Sequence, residues 1–403
     1  MSKRWSLAVA SAMMTLTVAA CGNPGQPGAA ADTAGSSGEG GAPYKIGLVY
    51  SKSGPLATYG QQYRQGFEAG LDFATKGSGK VDGHAIEITE QDDAGDPAKA
   101  VASATDLIGQ GHKIIAGSTS SGVALQVAPL AKDNKILFIS GPAAVDAITG
   151  ANKYTFRSGR QTYQDVATAG SMIGDVKGKK VTVLAQDSAF GKANVAAVTA
   201  VLGGKGATVS EVSVPAAATD LTPFATKVKG EAPDLLFVAW AGANATTMWQ
   251  TLSQQGVFDS TTVVTGLDIK PTHPLFGEAG TKISFLSHFF EGAADNEAYK
   301  ALDAGLKKQG ATVDLFTNDG FVAAQMAVRA LTEGGEDVDK MVSALEGWRF
   351  EGPKGSMEIR PEDHALLQPM FTATLKKDGT NVTPVLGKTL DPAAVAPPVT
   401  PFK

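Results

Sequence analysis

One cysteine, Cys21, stands in a chain of 403 residues, so no disulfide can close within it. The five histidines, at 84, 112, 273, 288 and 364, include no pair four residues apart, which argues against a helix-borne zinc site. Runs of like charge are missing too. With 35 Lys and Arg against 40 Asp and Glu the net charge is −5, the wrong balance for neutralising nucleic-acid phosphates. Past the N-terminus no apolar stretch approaches the roughly 18 residues that a membrane-spanning helix needs. Motifs of catalysis are absent as well: no G-x-x-x-x-G-K-[ST], no G-x-S-x-G, and no G-x-G-x-x-G between a strand and a helix. Asp92, Asp93 and Asp96 form an acidic cluster without the glycine and terminal Glu of a calcium loop, which reads as a solvated turn. No metal, cofactor or catalytic residue is expected.

What is present begins with an address. Lys3 and Arg4 precede an uncharged stretch over 6–20, too short to span a bilayer and suited to a signal-peptide core. It ends TVAAC at 17–21, which resembles a bacterial lipobox with Cys21 as the lipidated residue; simple cleavage after Ala20 is the plainer alternative. A thioether would remove the one reactive thiol of an exported protein. Residues 22–43 are mostly Gly, Ala, Pro and Ser with no apolar period, hence a flexible tether spanning on the order of 25 Å. The expectation is an exported protein, lipid-anchored to the cell membrane and facing the periplasm or the cell exterior.

From residue 44 the pattern alternates. Strands are expected at 45–50 (KIGLVY), 85–90, 113–116, 135–140, 180–185, 207–214, 234–240 and 261–265. Between them lie helices: one carrying Tyr59, Tyr63, Phe67 and Leu71 on a single face, then 97–109, 122–134, 191–202, 221–228 and 246–255. Asp96 followed by Pro97 is a helix-start pair. Further helices are expected at 297–309 and 320–332, and strands at 356–359, 370–376 and 382–386. Repeated β-α units imply parallel sheets clad in helices, here two α/β doubly wound lobes.

In such folds ligands bind beyond the carboxyl ends of strands, so those loops carry the site. GSTSSG at 117–122 sets hydroxyls and glycines at a helix start, where free N–H groups suit an anion; plain N-capping by Ser121 uses the same residues. SGPAA at 140–144 is small enough for close backbone approach. The second series brings Phe190, Trp240, Asn244 and Asp268, aromatics with one carboxylate, a set that suits a zwitterion; Phe190 and Trp240 equally suit core or hinge packing. A hydrolase would need a base beside Ser121, and neither His84 nor His112 falls in such a loop.

SGPLATYG at 53–60, DDAGDPAKA at 92–100, the Ser-rich loop, ISGPAA at 139–144, FRSGR at 156–160 and QDSAFG at 186–191 occur in the order of a known family. The chain resembles the periplasmic leucine/isoleucine/valine-binding proteins, solute-binding subunits of branched-chain amino acid ABC importers. The resemblance implies a type I clamshell: two Rossmann-like lobes joined by three crossover strands near Gly159, Phe289 and Gly352. One lobe is expected at 44–159 with 290–352 and the other at 160–289 with 353–390, followed by a Pro-rich tail at 391–403. By resemblance, Ser121 meets the ligand carboxylate, and Pro142 and Ala144 occupy the contact positions of the next loop; Ser120 beside Ser121 is an expected ligand-binding residue too. Tyr59 flanks the ligand, Phe190 stands where the family has Tyr, Asp268 receives the ammonium, and Phe316 is an apolar wall. The pattern departs around Trp240 and Asn244. The implied function is capture of an amino acid by a monomer and delivery to ABC permease subunits, without turnover. The alternatives are the same role for an aromatic acid or a short amide or urea, and a ligand-sensing module.

Overall fold

A computed structural model describes residues 41–403 apart from 243, 277, 278 and 380. The expected signal peptide at 1–20, Cys21 and most of the expected tether lie outside the described residues. The first sheet is built from β1 (Tyr44–Tyr50), β2 (Lys80–Val81), β3 (His84–Asp92), β4 (Ile114–Gly117), β5 (Leu137–Ser140) and β6 (Thr155–Arg157). Its order is β2-β3-β1-β4-β5-β6. All pairings are parallel except the short β2 against β3. β1, β4 and β5 are continuous apolar runs because helices cover both faces.

Those helices are α1 (Ala57–Ala74), α2 (Pro97–Gly109) and α3 (Ser121–Asn134), joined from much later in the chain by α8 (Glu297–Lys308), α9 (Thr317–Gly334) and α10 (Val338–Leu345). α2 starts where its residues dictate: the Asp96 side chain accepts from the N–H groups of Ala98 and Lys99, and Pro97 fills the first turn.

The second sheet takes β7 (Lys180–Gln186), β8 (Thr208–Val214), β9 (Leu235–Ala239), β10 (Thr262–Gly266) and β11 (Ile283–Ser287), all parallel. Antiparallel β15 (Met370–Asp378) and β16 (Asn381–Leu390) complete one edge. α4 (Thr162–Gly170), α5 (Ala189–Val201), α6 (Thr222–Glu231) and α7 (Ala245–Gln254) pack on this sheet. A small antiparallel sheet of β12 (Arg349–Gly352), β13 (Gly355–Ile359) and β14 (Leu366–Leu367) lies between α10 and β15 in the chain. The chain thus passes between the two sheets three times: after β6, after β11, and through the β12–β14 segment.

This is the expected α/β clamshell, and the main helices and strands fall within a few residues of their expected bounds. Several elements lie outside the expected set, among them the short strands β2, β6 and β14. α4 reads TYQDVATAG: it is nine residues long and buries Thr162, Gln164, Asp165 and Thr168 beside Val166 and Ala169, which dilutes its apolar pattern. α10 is only eight residues long, and β11 and β12 are short. α9 begins at Thr317 rather than Gly320, because Thr317, Asn318 and Asp319 are polar yet buried. The Pro-rich tail is anchored: Arg360 donates to the carbonyls of Pro397 and Pro398, and the Thr400 N–H donates to Asp363.

Candidate functional site

The strand-end loops of both sheets converge on a cavity of about 420 Å³. Of the ten expected contact residues, Tyr59, Ser120, Ser121, Pro142, Ala144, Phe190, Trp240, Asp268 and Phe316 line it. Asn244 does not. It stands behind the wall, where its Oδ1 accepts from Trp240 Nε1 at 2.9 Å and from Gln186 Nε2 at 3.2 Å. Its place is that of a brace for Trp240 and Gln186.

The β4–α3 loop forms part of the cavity lining. Gly117 and Ser118 both have positive φ, +126° and +68°, which turns the chain sharply out of β4. A side chain at Gly117 would strike the Val49 carbonyl. Ser118 and Thr119 are spent on structure: Ser118 Oγ pairs with Ser140 Oγ at 2.9 Å, and Thr119 Oγ1 accepts the Ser51 N–H at 3.2 Å. The Ser120 side chain makes no capping bond and Ser121 is the first helical residue, so the capping alternative is not realised. Two hydroxyls and the N–H groups of the first helical turn are left facing the cavity, a hydrogen-bonding surface suited to a carboxylate.

The neighbouring loop is stitched to this one by Gly141 N–H to Gly117 O at 2.5 Å and Ala143 N–H to Ser118 O at 3.2 Å. The Ala144 carbonyl already accepts twice, from the N–H of Thr162 at 2.8 Å and from its Oγ1 at 2.9 Å.

Asp268, just beyond β10, also lines the cavity. Its Oδ1 accepts from the Tyr59 hydroxyl at 2.8 Å and from the Ile269 N–H at 2.8 Å. Burial raises its pKa, and those two donors pull it part of the way back. Tyr59 also accepts the Gly242 N–H at 3.2 Å, so one phenol on α1 joins two loops of the second sheet. Its own pKa is raised well above the ordinary value, chiefly by burial. Tyr59 and Phe316 pack with ring centroids 4.6 Å apart. Phe190, Trp240 and Leu315 complete the apolar walls.

The polar lining extends beyond the expected contact residues and includes Gln186, Arg160, Asp165 and His288. Arg160 and Asp165 form an ion pair at 3.2 Å with both side chains nearly buried. Lys354 Nζ donates to the His288 carbonyl at 2.7 Å, and His288 faces Asp319 at 3.6 Å. Burial lowers the pKa of Lys354 and raises that of Asp319. Burial, with Arg160 and Lys354 nearby, drives His288 well below its ordinary value and keeps it neutral. Arg160 stood in the FRSGR segment, but nothing in that string distinguishes a buried arginine from a surface one. Among the described residues no cluster of three or more His, Cys, Asp or Glu could hold a metal ion, and no helix is long and apolar enough to cross a membrane.

A family model described as periplasmic binding protein matches residues 43–380. A Leu/Ile/Val-binding protein homologue of Brucella melitensis is 26% identical over 74% of this chain and 81% of its own length. The crystal structure of an ABC-type branched-chain amino acid transporter from Rhodopseudomonas palustris is 32% identical with a TM-score of 0.75, covering 89% of this chain and 100% of that one. A solute binding protein of an ABC transporter from R. palustris HaA2, solved with p-hydroxybenzoic acid, is 25% identical with a TM-score of 0.80, covering 87% of this chain and 97% of that one.

Proposed function

The chain belongs to the periplasmic binding protein family and is a solute-binding protein of the ABC-transporter kind, and from that premise we propose that it captures an amino acid, branched-chain or similar, between its two lobes and delivers it to an ABC permease. The observation that carries this reading is the polarity of the cavity. Ser120, Ser121 and the α3 helix start line it together with the Asp268 carboxylate, with Tyr59, Phe190, Trp240 and Phe316 among the apolar lining. A buried carboxylate needs several hydrogen bonds and a buried ammonium needs an opposite charge, or desolvation outweighs binding. Micromolar capture requires about −8 kcal/mol, within reach of a few charge-assisted bonds plus one buried apolar side chain. The protein works as an exported monomer, anchored through lipid on Cys21, with lobes at 44–159 with 290–352 and at 160–289 with 353–390. It performs no chemistry on its solute.

A second reading keeps the role and changes the solute to an aromatic acid. It is favoured by Ala144, which has no hydroxyl and whose carbonyl is already taken twice by Thr162, leaving an ammonium to Asp268. A thermal-shift screen of protein unfolded and refolded to strip bound solute separates the two. A solute at about 100 times its Kd adds about 2.7 kcal/mol, a visible rise in melting temperature. Stabilisation by leucine, isoleucine or valine supports the amino acid. A response confined to benzoate-type acids, short amides or urea retires the ammonium role of Asp268. Silence across the panel overturns both readings.

A further inference from the structure

We propose that Arg160 is a specificity-determining residue that pairs directly with the carboxylate of the solute; this rests on reading the cavity as the solute site. Arg160 lines the cavity and is 9% exposed. A guanidinium carries five N–H donors. Two bonds from it are made within the described residues: Nε to Asp165 Oδ2 at 3.2 Å and Nη1 to the Pro142 carbonyl at 2.8 Å. Nη2 has no protein acceptor among the described residues. Arg157, three residues earlier, is the contrast: it is 1% exposed, and both its Nη atoms are spent on the carbonyls of Arg160 and Val145. Arg157 is a strut, whereas Arg160 is a strut on one edge and open on the other.

The open edge lies where an anion is expected. Pro142, which anchors Nη1, belongs to the loop that is hydrogen-bonded at Gly141 and Ala143 to the Gly117–Ser118 turn. The cation and the Ser120–Ser121 helix start therefore share one wall. The head is also held in place. Asp165, 5% exposed, fixes Nε, and the Phe316 ring lies 5.8 Å from Cζ. A guanidinium so fixed presents a flat pair of donors to a carboxylate with little ordering left to do, which a flexible ammonium does not match. The Ser121 hydroxyl and the helix start supply neutral donors, and Arg160 supplies the charge. The preferred solutes must then be acids, and their amides bind more weakly even when shape and volume agree.

The test compares L-leucine with L-leucinamide, and benzoate with benzamide, by calorimetry on the wild type, Arg160→Gln, Arg160→Lys and the double variant Arg160→Gln/Asp165→Asn. The double variant removes the buried ion pair as a unit, so a folded comparison exists even if Arg160→Gln alone strands Asp165 and fails to fold. The expected result is a loss of about 30-fold for the acid in the Gln variants, against less than about 3-fold for its amide. Arg160→Lys recovers part of the acid's affinity, because it keeps the charge and loses the fork. Acid affinity within about 3-fold of wild type in a folded Gln variant overturns the role of Arg160 alone. Equal losses for acid and amide overturn it too, since they mark a merely structural residue. A wild type that binds neither acid overturns the parent reading, and this one with it.

Discussion

Ser121 is 5% exposed, and its hydroxyl makes no hydrogen bond within the described residues. If that donor serves a carboxylate, Ser121→Ala loses a bond to charge worth about 1–3 kcal/mol, so the solute's Kd rises by about 5- to 150-fold in calorimetry. An unchanged Kd removes the helix start from the site. Asp314 carries a different prediction. It accepts from Gln62 Nε2 at 2.7 Å and from the N–H groups of Lys270 and Leu315, yet burial pushes its carboxyl up to about 6. A raised carboxyl favours the protonated folded form. Its contribution to stability is full below its ordinary 3.8 and is lost as pH rises towards 6. The melting temperature of wild type relative to Asp314→Asn should therefore fall between pH 4 and about 6 and level off above. A constant difference across that window would show that the group titrates normally.

At the scale of elements, α1 and α9 meet backbone to backbone. A side chain at Gly66 would run into the Thr317 carbonyl, one at Gly70 into Phe321, and one at Gly320 into the Tyr63 carbonyl. Glycine is what lets the two helices approach, and α1 carries Tyr59 while α9 follows directly on Phe316. Gly66→Ala gains a little helix propensity but forces the helices apart. The net loss should be about 1–3 kcal/mol, seen as a lower urea midpoint, with weaker solute binding as Tyr59 and Phe316 separate. A variant as stable as wild type would mean that the crossing yields more easily than its contacts suggest.

For the whole molecule, the Tyr59 hydroxyl is the bridge to watch. It reaches from a helix of the first lobe to Asp268 and Gly242 of the second. If capture between the lobes proceeds by closure, as proposed, this bond is made on closing and its loss falls on release. Tyr59→Phe should raise the solute off-rate by about 10-fold and change the on-rate by less than about 2-fold, in stopped-flow fluorescence of Trp240. An on-rate that drops instead would make Tyr59 a docking surface for the solute.

Much of this molecule is local in origin. Alternating apolar strands and amphipathic helices determined the two parallel sheets, Asp96 and Pro97 determined where α2 begins, and Gly and Ser at 117–122 marked the helix start that faces the cavity. Each depends on neighbours a few residues away, so the string alone specifies it. The roles of Arg160, Asn244 and Ala144 do not. Asn244 has the composition of a contact residue but spends its Oδ1 on Trp240 and Gln186. The Ala144 carbonyl is claimed by Thr162 on the far side of the first crossing. Arg160, His288 and Lys354 come from three separate passages between the lobes and meet only because all three passages run together. Periodicity reports which face of an element is buried. Which charge finds which partner across 60 to 200 residues is decided by the packing of the lobes, because a buried ion is tolerated only where the tertiary structure brings its counter-charge and hydrogen-bond partners to it.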